Sequence, residues 1–157
     1  MSGGGVRLGL LSIRREGLPE GFSLEPSEEA DRVVKATLDL YDRVGYREPW
    51  TGYLAIDERT VVGSCGFKSP PADGRVEIAY FTFPGYQGRG FATGMAAFLV
   101  SLATRADPAV TVAAQTLPEE SASTTVLRRL GFERAAEVDH PEDGRVWEWH
   151  LRRGAGG

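Results

Sequence analysis

The feature that most constrains this chain is a strand, a glycine-containing loop and a helix in direct succession between residues 77 and 92. Residues 76–83 have the composition of a strand, and Gly88 and Gly90 lie just before an amphipathic helix. Glycines at a helix start leave the first N–H groups open to a ligand, and the helix dipole adds partial positive charge there. The segment predicts a phosphate or pyrophosphate site, although such glycines also suit a simple tight turn.

Hydrophobic patterning predicts one α/β domain over residues 1–157, with flexible Gly-rich ends at 1–5 and 152–157. Helices are predicted after a capping Ser27, after Gly90 and before Gly131, and Thr116 and Glu119 have the spacing of a capping box for the last of them. A second short helix after the first is also compatible with the pattern. Strands are predicted over residues 8–13, 53–57, 61–68, 76–83, 110–115, 132–138 and 145–151. This order indicates a mixed sheet with helices on its faces.

Composition and charge exclude several classes of protein. The 18 basic and 22 acidic residues give a net charge of −4, which argues against a nucleic-acid partner. One cysteine, Cys65, excludes an internal disulfide and any multi-cysteine metal site, and the two histidines, His140 and His150, are too far apart in sequence to suggest a metal. No apolar stretch approaches the ~20 residues that a membrane span needs. We therefore expect a cytoplasmic protein with no membrane association and no metal.

Two nucleotide-binding motifs fit the loop poorly. A dinucleotide fingerprint beginning at Gly88 would need Gly or Ala where Thr93 stands, and an acidic residue after the next strand where Gln115 stands. A P-loop is excluded because no Gly-Lys-Ser/Thr follows the glycines.

The loop and a later segment together resemble a known family. Gln87-Gly88-Arg89-Gly90-Phe91-Ala92 is similar to the acyl-CoA pyrophosphate loop of the GNAT superfamily of N-acetyltransferases, and residues 126–132 resemble the Leu-Gly-Phe signature that closes the family's fourth helix. Residues 77–80 and 116–123 are most similar to the ribosomal-protein N-terminal acetyltransferase (Rim-type) branch. The resemblance implies a mostly antiparallel central sheet of about seven strands flanked by helices.

The same resemblance implies acetyl-CoA as co-substrate and direct transfer of its acetyl group to an amine. Backbone groups of Phe81 and Phe83, with Thr82 between them, would pair with the pantetheine arm, and an amide near Phe81 would stabilise the oxyanion. A hydroxyl of Ser123 is a candidate contact to the cofactor. The pyrophosphate would lie on the amides of Gln87, Gly88, Arg89, Gly90, Phe91 and Ala92.

The chain departs from the family at two positions. Leu127 stands where many members have a tyrosine that protonates the CoA thiolate, and Glu120 and Ser121 occupy the positions where an asparagine is usual. Ser121, Ser123 or water are the remaining proton donors. These departures keep a second hypothesis open, namely a non-catalytic acyl-CoA-binding or regulatory module.

Glu77 is the best candidate for the base that removes the amine proton. It lies on the strand of Phe81 and on the same face, about 13 Å away by strand rise, so a water or a long acceptor would have to intervene. The alternative is a carboxylate paired with Arg75 or Lys68. A lysine-like amine with a pKa near 10.4 needs such a base more than an α-amine with a pKa near 8.

The sequence leaves the acceptor amine open. It is compatible with a protein N-terminus, an aminoglycoside-like drug, an amino acid or a polyamine. The sequence is also compatible with a homodimer. Aromatic residues near both ends of the sheet are candidates for an acceptor pocket, although about half of them are expected in the core: Tyr46, Trp50, Tyr53, Trp147 and Trp149.

Overall fold

A computed structural model describes residues 8–151, in which seven strands form one sheet of order β1-β2-β3-β4-β5-β7-β6. All neighbouring strands are antiparallel except β4 and β5, which run parallel. The predicted fold class is therefore confirmed, whereas the predicted flexible ends lie outside the described residues. The strands are β1 (Gly9–Ile13), β2 (Gly52–Asp57), β3 (Thr60–Phe67), β4 (Arg75–Thr82), β5 (Thr111–Thr116), β6 (Phe132–His140) and β7 (Gly144–Leu151).

Three helices cover the two faces of this sheet: α1 (Glu28–Val44), α2 (Phe91–Ala106) and α3 (Ala122–Arg129). Side chains alternate along each strand, so neighbours such as Val61 and Val62 enter different cores. Val61 joins the smaller core beneath α1, and Val62 joins the larger core beneath α2 and α3. No helix within residues 8–151 is long and apolar enough to span a bilayer.

Buried Tyr41 fixes α1 to the sheet. Its hydroxyl donates to the carbonyl of Ile13 at 2.7 Å and accepts from the N–H of Gly52 at 2.9 Å. Burial raises the pKa of Tyr41, so the phenol keeps the proton that it donates. Helix α1 is thereby held against β1 and β2.

Serine side chains begin two of the three helices. Ser27 accepts from the N–H of Ala30, as predicted. The capping box of α3 is formed by Ser121 and Thr124, and the prediction that Thr116 and Glu119 form it is wrong. Thr116 is instead the last residue of β5, where its hydroxyl accepts from the indole N–H of Trp149 at 3.0 Å. A single helix, α1, lies between β1 and β2 in the described chain.

The parallel pair β4–β5 is the irregular place in the sheet. Pairing runs from Arg75 opposite Thr111 only as far as Glu77 opposite Ala113. Strand β4 continues to Thr82, and β5 turns to pair with β7 instead. One edge of β4 is therefore left without a neighbouring strand in the middle of the sheet. We call this opening the β4–β5 gap.

Candidate active site

The glycine loop has the backbone geometry that an anion cradle requires. Gly85, Gly88 and Gly90 have φ values of 95°, 78° and 86°, a left-handed region that side chains disfavour. Among the three helices of residues 8–151, α2 alone begins without a side-chain cap. Its first N–H groups are thus available to a ligand at the positive end of the dipole.

Backbone hydrogen bonds decide which residues of β4 face the gap. The carbonyl of Glu77 accepts from the N–H of Lys68 at 2.9 Å, and the N–H of Phe83 donates to the carbonyl of Val62 at 2.8 Å. Because antiparallel pairs alternate between bonded and non-bonded residues, the odd-numbered positions from 77 to 83 all pair with β3. The backbone groups of Tyr80 and Thr82 therefore point into the β4–β5 gap.

This pairing corrects the register expected for the pantetheine contacts. Phe81 and Phe83 direct their N–H and C=O groups to β3, so the free donors and acceptors are those of Tyr80 and Thr82. The physical reason is that the sequence pattern reports which way side chains point, but not which neighbouring strand takes each backbone group. Of Phe81, Thr82 and Phe83, only Thr82 directs its backbone groups into the gap.

A cleft of about 480 Å³ runs from the gap to the glycine loop and is bounded by β4, α2 and α3. We call it the donor cleft. Most residues predicted to contact the cofactor line it, with Phe83 and Arg89 as the exceptions. The predicted residues that line the donor cleft are Phe81, Thr82, Gln87, Gly88, Gly90, Phe91, Ala92 and Ser123.

The guanidinium that lines the donor cleft is not that of Arg89 in the glycine loop. The guanidinium of Arg89 lies 3.5 Å from the carboxylate of Asp57 and 5.0 Å from the ring centroid of Phe91. Arg129, in the last turn of α3, lines the cleft instead. Arg129 was not singled out from the sequence as a site residue, because the closeness of α3 to the glycine loop is a tertiary feature.

A smaller cavity of about 100 Å³ forms the floor of the β4–β5 gap. Lys68, Tyr80, Gln115 and Ser123 contribute to its lining. The end of β3, strands β4 and β5 and the start of α3 all border this cavity, near the place where the pairing of β4 with β5 ends.

A third cavity, of about 210 Å³, lies between α1 and strands β2 to β4. We call it the acceptor cavity. Its lining is mostly apolar, and Phe81, at 54 % exposure, stands where it meets the donor cleft. The apolar and aromatic residues in its lining include Val33, Leu40, Tyr53, Phe67 and Phe81.

The largely buried carboxylate of Glu77 lies in an ion-pair network on the sheet. Lys68 Nζ is 2.7 Å from Glu77 Oε2, and Arg75 Nη2 is 3.8 Å from Glu77 Oε1. Arg75 also lies 3.0 Å from Glu148, whose other oxygen is 2.8 Å from His150. Burial alone raises the pKa of Glu148, but the hydrogen bond from His150 and the charge of Arg75 together hold it below its usual value.

The other chemistry-capable residues are absorbed by the core or by the turns. Cys65 is buried, and burial raises the pKa of its thiol to about 12, so it is a poor nucleophile. His140 accepts backbone N–H bonds in the β6–β7 turn. Of the aromatic candidates, Trp50 and Trp149 are core residues, and Tyr53 is the one that lines the acceptor cavity. No cluster of three or more metal-ligating side chains occurs in the described part of the chain.

Comparison with protein families decides what this arrangement is. Residues 14–133 match the model of the acetyltransferase (GNAT) domain. The chain belongs to this family. The match extends from the end of β1 to the start of β6, and so includes the glycine loop, the β4–β5 gap and all of α3.

Solved structures similar to the acetyltransferase have related folds and different acceptors in their titles. RimL, a ribosomal L7/L12 α-N-protein acetyltransferase, has a TM-score of 0.65 at 16 % identity, with 94 % of this chain and 91 % of that one covered. A spermidine N-acetyltransferase SpeG chimera from Vibrio cholerae and hSSAT has a TM-score of 0.66 at 12 % identity, covering 92 % and 94 %. Aminoglycoside acetyltransferase AAC(6')-Ib in complex with coenzyme A has a TM-score of 0.55 at 24 % identity, covering 66 % of each chain.

These likenesses establish the fold, and RimL among them agrees with the expected Rim-type branch. No curated protein matches the chain. As a member of the GNAT family, the acetyltransferase uses acetyl-CoA as its acetyl donor.

We expect Arg129→Met to weaken acetyl-CoA binding by about five- to tenfold, because one charge-assisted contact to a phosphate is lost at a partly exposed site. Isothermal titration at low and high salt measures the effect, which should shrink as salt screens the contact. Arg105→Met is the matched control, since Arg105 lies in the last turn of α2 and does not line the donor cleft. Equal losses in both variants would contradict a role for Arg129 at the phosphates.

Proposed function

We propose that the acetyltransferase moves the acetyl group of acetyl-CoA directly to a primary amine that carries an apolar substituent, such as a peptide N-terminus. The observation that carries this proposal is the meeting of two cavities. The donor cleft and the acceptor cavity have only Tyr80 and Phe81 in common, on β4 at the open gap. A thioester entering from one side and an amine entering from the other would meet there, and positioning of this kind supplies much of the catalysis in two-substrate reactions.

The donor side is supported by the backbone. We assign the pyrophosphate to the amides of residues 87–92 and the pantetheine arm to the free backbone edge of β4 at Tyr80 and Thr82. The N–H of Tyr80 is the donor best placed to bond the thioester oxygen. In the tetrahedral intermediate that oxygen carries negative charge, which a preorganised N–H stabilises more strongly than it stabilises the thioester.

The acceptor side favours an apolar substituent over a polycation. No aspartate or glutamate lines the acceptor cavity, and its one charged lining residue is Lys68. A polyamine or an aminoglycoside carries several positive charges. Burying these charges beside the Lys68 ammonium is costly, because the cavity lining has no carboxylate to pair with them. An apolar first side chain of a peptide instead gains from contact with Val33, Leu40 and Phe81.

We propose that Glu77 accepts the amine proton through an intervening water. Its carboxylate lies on β4 three residues before Tyr80, about 10 Å along the strand, so direct contact with an amine at the gap is excluded by distance. Lys68 and Arg75 hold the carboxylate in one place. A carboxylate fixed at this distance can accept a proton through a single water that bridges it to the amine.

A panel of acceptors tests the proposed function. Thiol release from acetyl-CoA is measured with an apolar N-terminal peptide, spermidine and kanamycin, and an N-acetylated copy of the peptide serves as the blocked control. We expect kcat/KM for the free peptide to exceed that for spermidine and kanamycin by at least about tenfold. Burial of one or two methylene groups, together with the avoided cost of burying charge, contributes enough free energy for this ratio. A preference for spermidine or kanamycin would overturn the acceptor assignment.

The second hypothesis, a non-catalytic acyl-CoA-binding module, is favoured by one observation. Leu127 is fully buried in the core at the position where many relatives have their proton-donating tyrosine. Such a module would bind acetyl-CoA in the same cleft and release no thiol with any amine. The acceptor panel, combined with a binding titration, separates the two hypotheses.

A further inference from the structure

Collapse of the tetrahedral intermediate leaves a thiolate that needs a proton. Leu127 has no proton to give, and it is fully buried in the larger core. Ser121 does not line the donor cleft, and its side chain accepts from the N–H of Thr124 in the capping box of α3. The hydroxyl-bearing residues that line both the donor cleft and the gap floor are Tyr80 and Ser123.

Tyr80 is placed where such a donor is needed. It is the one described residue that lines the donor cleft, the floor of the β4–β5 gap and the acceptor cavity together. Its hydroxyl reaches across from β4 to α3 and lies 3.4 Å from the carbonyl oxygen of Ser123, a long and weak hydrogen bond. A phenol held this loosely can turn to a ligand at little cost.

We propose that the hydroxyl of Tyr80 protonates the sulfur of coenzyme A as the acetyl group leaves, an inference that rests on the proposed function. The C–S bond breaks and its electron pair stays on sulfur, while the amine nitrogen keeps the acetyl carbon. The phenol O–H gives its proton to sulfur, and the phenolate regains a proton from water. The proton lost by the amine is thereby balanced by the one gained by the thiol.

The ionisation state of Tyr80 suits this role. Burial raises the pKa of Tyr80 to about 12, more than the contact with Ser123 lowers it. The phenol is therefore fully protonated over the range in which amines are acetylated. The charged groups that line the same cavities are Lys68 and Arg129, and the ammonium of Lys68 is engaged by Glu77 at 2.7 Å.

Ser123 is the principal competitor for the role. It lines both the donor cleft and the gap floor, and its hydroxyl is the donor that the sequence suggests. An aliphatic hydroxyl is a much weaker acid than a phenol, and Brønsted behaviour favours the stronger acid for protonating a thiolate. We therefore expect removal of the Ser123 hydroxyl to have a small effect.

The first test compares three variants under conditions where the wild-type acetyltransferase turns over an amine. Tyr80→Phe is expected to lower kcat by about tenfold or more. This loss is smaller than the usual effect of removing a general acid, because a thiolate leaves well without a proton. The affinity for acetyl-CoA should stay within twofold of that of the wild type. Ser123→Ala should change kcat less than threefold. Tyr46→Phe is the matched control, because Tyr46 lines none of the three cavities and its hydroxyl donates to Glu48 at 2.6 Å. An unchanged kcat in Tyr80→Phe, or a larger loss in Ser123→Ala, overturns the proposal.

The second test asks for a signature that a packing role does not produce. Replacing Tyr80 by 3,5-difluorotyrosine keeps the shape of the ring and makes the phenol more acidic. If Tyr80 is the acid, kcat stays close to wild type near pH 7 and falls at high pH, where the fluorinated phenol loses its proton and the wild-type phenol does not. A high-pH limb that coincides with that of the wild type overturns the proposal. Failure of the proposed function is a different result, since the wild-type protein itself would then release no thiol.

Discussion

Replacing Gly88 by valine is expected to weaken acetyl-CoA binding by about 10²- to 10⁴-fold. The reason is that the amides of residues 87–92 can donate to the pyrophosphate only if no side chain stands between them. Hydrogen bonds to charged groups contribute about 1.5–3 kcal/mol each, so loss of two of them removes about 3–6 kcal/mol. Each 1.4 kcal/mol corresponds to a tenfold change in affinity, which gives the stated range.

Gly85 offers a matched control for backbone strain. It belongs to the same loop, has a φ of 95° against 78° for Gly88, and does not line the donor cleft. A Cβ at either glycine would meet no atom within 4 Å, so both valine variants pay the left-handed penalty without a steric clash. Isothermal titration should show the large loss for Gly88→Val alone, while thermal unfolding shows similar destabilisation in both. Equal losses of affinity would mean that the pyrophosphate lies elsewhere.

Much of the fold was predictable because the spacing of apolar residues and the residues that begin or end helices and strands indicate the same elements. The apolar spacing after Gly90 matches α2, and the serine at residue 27 begins α1 where predicted. The glycine loop was predictable for a stronger reason. Two glycines directly before a helix without a side-chain cap occur in few kinds of local structure, and an anion-binding site is one of them.

Two parts of the site could not be read from the sequence. Alternation along β4 shows that Phe81 and Phe83 share a face, but backbone hydrogen bonding depends on which strand lies on each side, and only the structure shows that β3 takes the odd-numbered residues. The role of Arg129 depends on the packing of α3 beside the glycine loop, a contact between elements far apart in sequence. Both are tertiary features without a local signal.

The missed cap of α3 has a different cause. Thr116 and Glu119 have the right spacing for a capping box, and so do Ser121 and Thr124, whose Thr at N3 replaces the usual Glu or Gln. The strand decides between them, because Thr116 pairs with Trp147 on β7 and is not free to begin a helix. The signal that could have decided it was the continued strand composition of residues 111–116.

Glu77→Gln is expected to lower kcat by about 10²-fold with an α-amine acceptor, the lower end of what general bases contribute, and to leave acetyl-CoA affinity unchanged. The amide keeps the size of the side chain but can no longer accept a proton. The loss should grow for an acceptor amine of higher pKa. At pH 7 about 10 % or more of an α-amine is already neutral, whereas only about 0.04 % of a lysine-type amine is neutral. Comparison of kcat for two acceptors that differ mainly in amine pKa measures this dependence.

Glu148→Gln separates catalysis from the ion-pair network. Glu148 shares Arg75 with Glu77, but it lies on β7, which β5 separates from the β4–β5 gap. If Glu77 accepts the proton, removing the charge of Glu148 should change kcat only a few-fold, and by the same factor for both amines. If Glu77 only pairs with Lys68 and Arg75, the two variants should lose activity to similar extents and neither loss should depend on amine pKa. The second pattern would assign Glu77 to the fold of the sheet and leave proton removal to water.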